Sequence, residues 1–408
     1  MSYRRLRLLQ LFWTLISCQY ILYINGVTHL RNHEDQCEAS DVDIEGVQSR
    51  RLYHESTTHV FQESIAEGFS SRTDVVKGDR VESTALHEVI FHIQQRNEHK
   101  IKQILHEVSD PSHENYGRHL SKKDVEAITQ NHASHDHVIS YLKAANISIL
   151  SETLSGEYVT AIAPIRIWEE LLDTEFFEFY HSRGDEDVAD RILRAESYSL
   201  PITLESHVAS AFNTIQMPMK IWAKPIVVPV EDTSANSIRA HAATGFIDPS
   251  VYKMRYNIGG VQGNSQSTQL IYGTIGQYFS PADLTDFQRR FSQPLDAVDF
   301  DVGNHKSDSI CISSPSSCVE ANLDLQYIMA TSQKSPTTYW YSNSNSFATF
   351  LVAVANLANP PLVMSISYGA DESDVSRSEL DAFNFQAMKL GVMGVTIMVA
   401  SGGNSIQQ

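Results

Sequence analysis

Two domains of different class are predicted from this 408-residue chain: a compact α+β unit over residues 85–215 and an α/β unit with a parallel sheet over 246–408. Three observations predict them. After Leu86, short strands and helices are mixed with short connections, which is how an α+β unit reads. Residues 361–400 hold an apolar strand, a helix and a second apolar strand, a βαβ unit of the kind that builds helix-covered parallel sheets. Between the two units, residues 216–245 are broken by Pro218, Pro225 and Pro229 and then turn small and polar. That stretch reads as a linker that a protease reaches easily, and activation cleavage is expected within it.

In chain order, Arg4, Arg5 and Arg7 precede an apolar run over residues 8–24 that ends near Gly26. Residues 1–26 read as a secretory signal peptide, with an uncleaved anchor as the alternative. Residues 27–84 are polar without sustained periodicity and are expected to form a flexible leader. Leu86–Ile93 alternates Val89, Phe91 and Ile93 onto one face, as a strand does. Asn97 stands where it caps a helix carrying Ile101, Ile104, Leu105 and Val108, stopped by Ser109, Asp110 and Pro111. A second helix starts at Ser121 with Val125 and Ile128 on it, and a third holds Val138, Tyr141 and Leu142. Strands follow near 147–150, 158–162 and 176–180, with a helix near 167–172. In the second unit, 361–368 is a buried-type strand. The helix after it is apolar at Leu380, Phe383, Ala387 and Leu390 and stops at Gly391, before an apolar run over 395–400.

Composition narrows the function classes. The chain is 42% apolar and 20% charged, ordinary for folded protein. A formal net charge of −18 leaves no excess of Lys and Arg to neutralise phosphates, which argues against a nucleic-acid partner. Beyond the signal no segment is apolar enough to cross a membrane, so no membrane partner is expected after its cleavage. Cys18 lies in the signal. Cys311 and Cys318 enclose a small loop containing Pro315, which an oxidising compartment closes as a disulfide; two free thiols are the alternative, and Cys37 has no evident partner. Asn146-Ile147-Ser148 is a glycosylation sequon, compatible with secretion.

Two carboxylates carry the chemical interest. Glu320 and Asp324 are four residues apart, which on a helix puts both on one face. Two such groups in contact cannot both ionise cheaply, so one holds its proton well above pH 4. A pair of this kind works as a general base with an orienting acid at low pH, where a histidine is protonated. Two plainer readings stand beside it. An acidic pair can be a solvated helix face, and Ser317-x-x-Glu320 can be a capping box.

Several motifs in order resemble the sedolisin (serine-carboxyl) peptidase family. Residues 89–93, then Val108-Ser109-Asp110-Pro111, Tyr116-Gly117, Leu120-Ser121 and residues 138–147, are similar to its activation domain. Ile247-Asp248-Pro249 with Arg255-Tyr256-Asn257 resembles the start of the mature enzyme, and Gly276-Gln277-Tyr278 with Asp283, Leu284 and Phe287 its first strand and helix. Glu320 and Asp324, followed by Leu325-Gln326-Tyr327-Ile328, match the catalytic Glu and Asp. Ser365-x-Ser367-Tyr368-Gly369 with Glu372 matches the strand lined by the substrate backbone. The resemblance implies a subtilisin-like parallel sheet, incomplete over these residues, preceded by a ferredoxin-like α+β prodomain. It implies serine-type acyl transfer on peptide or protein substrates, regulated by the chain's own prodomain.

The signal peptide implies a secretory destination, either extracellular or an acidic lysosome-like compartment. After Ala400-Ser401-Gly402 the family has an oxyanion Asp where this sequence has Gly403 and then Asn404. The family's Gly-Thr-Ser nucleophile motif occurs nowhere in the 408 residues. The chain is therefore expected to be C-terminally truncated and inactive alone, with no cofactor, since the family's calcium site lies further on. The alternative is a secreted non-catalytic product that inhibits or chaperones a related peptidase.

Nine histidines crowd residues 87–137: His87, His92, His99, His106, His113, His119, His132, His135 and His137. They read either as solvated helix faces or as a pH trigger that loosens the prodomain when protonated. A zinc cluster at His132, His135 and His137 is a third reading, on unspecific spacing, and no metal site is expected.

Overall fold

The computed structural model describes residues 58–181, 191–218, 247–343 and 346–400. The signal peptide, Cys37, most of the linker, Gly403 and Asn404 lie outside the described residues.

The chain enters on β1 (His59–Ser64) and β2 (Val75–Arg80), then runs through β3 (Leu86–Ile93), α1 (Glu98–Ser109), α2 (Lys122–Thr129) and α3 (His132–Ala144). It continues through β4 (Ser148–Glu152), β5 (Tyr158–Pro164), α4 (Ile165–Leu172), β6 (Phe176–His181), β7 (Ile192–Ala195), β8 (Ser197–Pro201), α5 (Ile202–Glu205) and β9 (Val208–Phe212). Strands β4-β5-β3-β9 form an antiparallel sheet in that order, so β3, β4, β5 and β9 with the helices between them make a β-α-β-β-α-β path. Val89, Phe91, Val138, Leu142, Val159 and Trp168 fill the core of this half. The Trp168 indole N–H is satisfied by the His87 carbonyl at 2.9 Å.

The leader is not loose throughout. β1 pairs antiparallel with β8, and β2 with β6, so the stretch from His59 to Arg80 is part of the domain. Its partners lie far along the chain, so a scan for local periodicity misses the pairing. The linker also begins later than expected. Gln216 takes the backbone N–H groups of Thr214 and Ile215 on its side chain, and Met217 fills a small core with Val75 and Phe179.

The second half runs through α6 (Pro249–Tyr256), β10 (Gln269–Gly273), α7 (Pro281–Arg290), β11 (Phe300–Val302), α8 (Asp308–Ser313), α9 (Val319–Thr331) and β12 (Thr337–Tyr341). It ends on α10 (Phe347–Ala355), β13 (Val363–Ile366), α11 (Arg377–Val392) and β14 (Thr396–Val399). The five strands are all parallel, in the order β11-β12-β10-β13-β14. α7 and α9 cover one face, burying Leu284, Ala321, Leu325 and Met329 with Tyr339. α10 and α11 cover the other, burying Phe350, Leu351, Val354 and Leu390 with Met364 and Ile397. The chain fills one side of β10 first and then crosses to the other side at β13. That reversal opens a crevice at the carboxyl ends of these two strands, where open parallel sheets bind ligands.

The two halves share a core. Ile101 and Leu105 of α1 and Val125 of α2 pack on Phe385, Met388 and Val392 of α11. Beside them Glu157 of the first half and Lys389 of α11 form an ion pair, with Gln386 donating to Glu157 at 3.3 Å. Among the described residues no helix is long and apolar enough to cross a membrane.

Candidate active site

Glu320 and Asp324 both stand on α9. The capping-box reading of Glu320 is not what the structure contains. Cys318 occupies the N-cap position without a side-chain bond, and the Ser317 hydroxyl lies 3.1 Å from that of Ser314. The short 3-10 turn Pro315–Ser317 draws Ser317 away from the helix start. The Glu320 backbone N–H is instead satisfied by Gln277 Oε1 at 3.2 Å, which leaves the Glu320 carboxyl uncommitted to capping.

Asp324 accepts a hydrogen bond on Oδ1 from the Ser367 hydroxyl at 2.8 Å. Burial pushes its pKa up to about 7, the Ser367 bond pulls the other way, and the like charge of Glu320 adds to the rise. Burial also raises the Glu320 pKa. Two fully buried tyrosines, Tyr339 and Tyr368, stand beside the pair, and burial, with the Asp324 charge adding to it, holds both phenols protonated. Tyr339 donates to the Gln277 carbonyl at 2.9 Å, and Tyr368 bonds the Thr274 backbone.

The elements explain why these groups converge. Gln277 follows β10 and Ser367 follows β13, so both sit at the crevice between those strands. The turn after β10 has positive φ at Ile275 (47°) and Gly276 (68°), and Gly276 N–H is held by the Tyr341 hydroxyl at 2.9 Å. Positive φ at a β-branched residue is strained, and here it aims Gln277 back at the start of α9. On its other side α9 is tied to α7: Asn322 accepts from Ser280 N–H at 2.8 Å and donates to Asp283 at 2.9 Å.

Cys311 in α8 is joined to Cys318 by a disulfide, with Cα atoms 5.5 Å apart. It pins the residue that opens α9, two positions before Glu320. Cross-linking a loop this short is worth about 2.5 kcal/mol through the unfolded chain. Replacing both cysteines with alanine should lower unfolding stability by about that amount in a denaturant titration. A loss under about 0.5 kcal/mol would mean that other contacts already close the loop.

Of the three residues expected to line substrate, Ser365 falls mid-strand, registered against Ile271 of β10 and Met398 of β14. With strand neighbours on both sides, its backbone offers no free edge. Ser367 and Gly369 lie past the strand end. A Cβ at Gly369 would meet only the Ala400 carbonyl, at 4.0 Å, so that side is open. Asn146 is exposed, with φ 55°, just after α3. His135 contacts Asp136 and Glu152, whereas His137 contacts Thr203 and stacks on His207. Among the described residues no group of three His, Cys, Asp or Glu is arranged to hold a metal ion.

Gln277, Thr274 and Tyr339 had no assigned role in the sequence reading. For Thr274 and Gln277 the signal available was the Ile275-Gly276 turn after an apolar strand; Tyr339 lies apart from it in β12.

Residues 73–215 match the Pro-kumamolisin activation domain family. The match begins twelve residues before the start expected at 85 and includes β2. The chain is similar to tripeptidyl-peptidase 1 of Dictyostelium discoideum, 26% identical over 352 residues, covering 77% of this chain and 56% of that protein. It is also 26% identical to the human tripeptidyl-peptidase 1 over 329 residues and to the mouse protein over 326, covering 76% of this chain and 55% of each. It thus spans about half the length of the curated relatives it matches. With an activation domain of this kind and a second half that continues the likeness, the chain is a relative of the sedolisin peptidases, tripeptidyl-peptidase 1 among them.

Proposed function

We propose that the chain is the precursor of an acid-acting serine-type peptidase in which Glu320 is the general base and Asp324 its proton-holding partner. One observation carries the reading: a partly buried carboxyl pair on one helix, at the carboxyl ends of β10 and β13, with the Asp324 pKa up to about 7. Asp324, held up to about 7, keeps its proton through the acid range, and Glu320, the less buried of the two, is the member that ionises first, which gives the pair one negative charge. When a serine hydroxyl attacks a peptide carbonyl, that carboxylate takes the hydroxyl proton and returns it to the leaving amine. The open side at Gly369 is the expected approach for the peptide backbone. A secretory route into an acidic compartment or outside the cell suits both the chemistry and the disulfide.

No Gly-Thr-Ser occurs in the 408 residues, so this polypeptide alone is expected to leave peptide bonds intact. The test joins it to the serine-bearing part of tripeptidyl-peptidase 1 and assays an unstructured protein at pH 3–6. Cleavage should appear in the joined protein and fall about 10²–10⁴-fold with Glu320→Gln. Cleavage that survives that substitution would refute the assignment. If the 408-residue chain instead blocks an active relative when added in trans, the non-catalytic inhibitor reading gains ground.

A further inference from the structure

We infer that Ser367 is a positioning residue: by occupying Oδ1 of Asp324 it directs the Asp324 proton to Oδ2. The inference deepens the reading above and rests on it.

A protonated carboxyl has one O–H donor and one carbonyl-type acceptor, and in free solution the two oxygens exchange roles by rotation. At Asp324 they are not equivalent. Oδ1 receives the Ser367 hydroxyl at 2.8 Å, which is good hydrogen-bond geometry for O–H···O. An oxygen that accepts this bond is the poorer place for the proton, so the other oxygen takes it. Ser367 can impose this because it is itself well fixed. It follows β13, whose last residue, Ile366, pairs with Tyr272 on one side and Val399 on the other. The Ala400 N–H also bonds the Ile366 carbonyl at 2.9 Å, and the next side chain, Tyr368, is fully buried. A donor directly at the end of a paired strand holds its aim better than one far out on a loop.

The assignment changes what Ser367 is for. Its hydroxyl is committed to Asp324, so any contact with a bound peptide falls to its main chain. It also gives the Ser367 bond a direction of effect. A donor to the carboxylate favours the ionised form, so the Ser367 hydroxyl pulls the Asp324 pKa down against burial. The hydroxyl thereby moderates how strongly Asp324 holds its proton, as well as deciding where the proton sits.

The test uses the 408-residue chain and needs no hydrolysis. Carbon-13 NMR of Asp-labelled protein follows the Asp324 carboxyl, identified as the resonance lost in Asp324→Asn. In Ser367→Ala the titration midpoint should rise by about one pH unit, a tenfold change in proton affinity. Ser367→Thr, which keeps a hydroxyl, should titrate with the wild type, and Ser367→Cys, a weaker donor, should fall between. An alanine variant with an unchanged or lowered midpoint overturns the inference. If the alanine variant does not fold, Thr and Cys decide: identical midpoints for those two overturn it equally. Because the readout is a titration, its failure leaves the peptidase reading standing if Glu320→Gln still abolishes cleavage in the joined protein.

Discussion

Lys389→Met is expected to destabilise the protein by about 3–5 kcal/mol, the cost of stranding a buried carboxylate. Glu157 is 2% exposed, and it lies where the turn before β5 meets α11. Burial alone would raise its pKa, yet the Lys389 ammonium reverses that and holds it below the usual carboxylate value. Gln386 adds one hydrogen bond, while His92 Nε2 nearby is buried without a hydrogen-bond partner among the described residues. The cluster therefore has little reserve for a lost cation. Removing both charges is a different experiment. Glu157→Leu with Lys389→Met should recover most of the loss, because apolar replacements of a buried pair are often neutral. Denaturant unfolding of the two single variants and the double variant gives the coupling directly. A loss below about 1 kcal/mol for Lys389→Met would mean that Glu157 finds solvent or protonates, and that the halves are not held as described.

The same cluster marks where sequence reading stops. The stripe Ile101, Leu105 and Val108 predicts α1, and the structure has it, but the stripe does not say that Ile101 and Leu105 face α11 and not their own domain's sheet. α11 is buried on two sides, by the parallel sheet and by the activation domain, so its polar residues Glu379, Gln386 and Lys389 are as buried as its apolar ones. No period of 3.6 reveals that, since the pattern records polarity and not surroundings. The carboxyl pair was legible because both members lie on one helix. Ser367, 43 residues from Asp324, joins them only through the strand order of the sheet. Asn97 shows the limit at smaller scale. It sits at the N-cap as expected, but its φ of 55° turns the side chain to the Ile128 carbonyl and away from the helix it precedes.

Acidification from pH 7 to 4 should loosen the activation domain while it tightens the second half. The groups responsible have opposite signs. Burial lowers the pKa of His92 to about 4; Glu157 opposes that shift and Lys389 adds to it. The ring is enclosed by Tyr158, stacked at 4.6 Å, and by Phe212. His87 is lowered to about 4 chiefly by burial, with the Asn213 carbonyl opposing and Arg194 assisting. For both, the unfolded state binds more protons between pH 6.5 and 4. Their stability is present above pH 6.5 and is lost as pH falls through that window, by about 3 kcal/mol each. Asp324 and Glu379 are raised to about 7, mainly by burial. For these the folded state binds more protons, so stability is largest below the ordinary carboxylate range and is lost as pH rises towards 7, by about 4 kcal/mol for Asp324 and about 3 kcal/mol for Glu379. In a single cooperative melt the four contributions nearly cancel, and pH would seem to matter little. Hydrogen exchange separates them. With intrinsic exchange rates corrected, amides of β3 and β5 should lose protection between pH 7 and 4.5, and those of β10 and β13 should gain it. His92→Gln should halve the loss in β3 and leave β10 unaffected. A uniform change across both sheets would show that the two halves open only together, and that the titrating groups act on one global equilibrium.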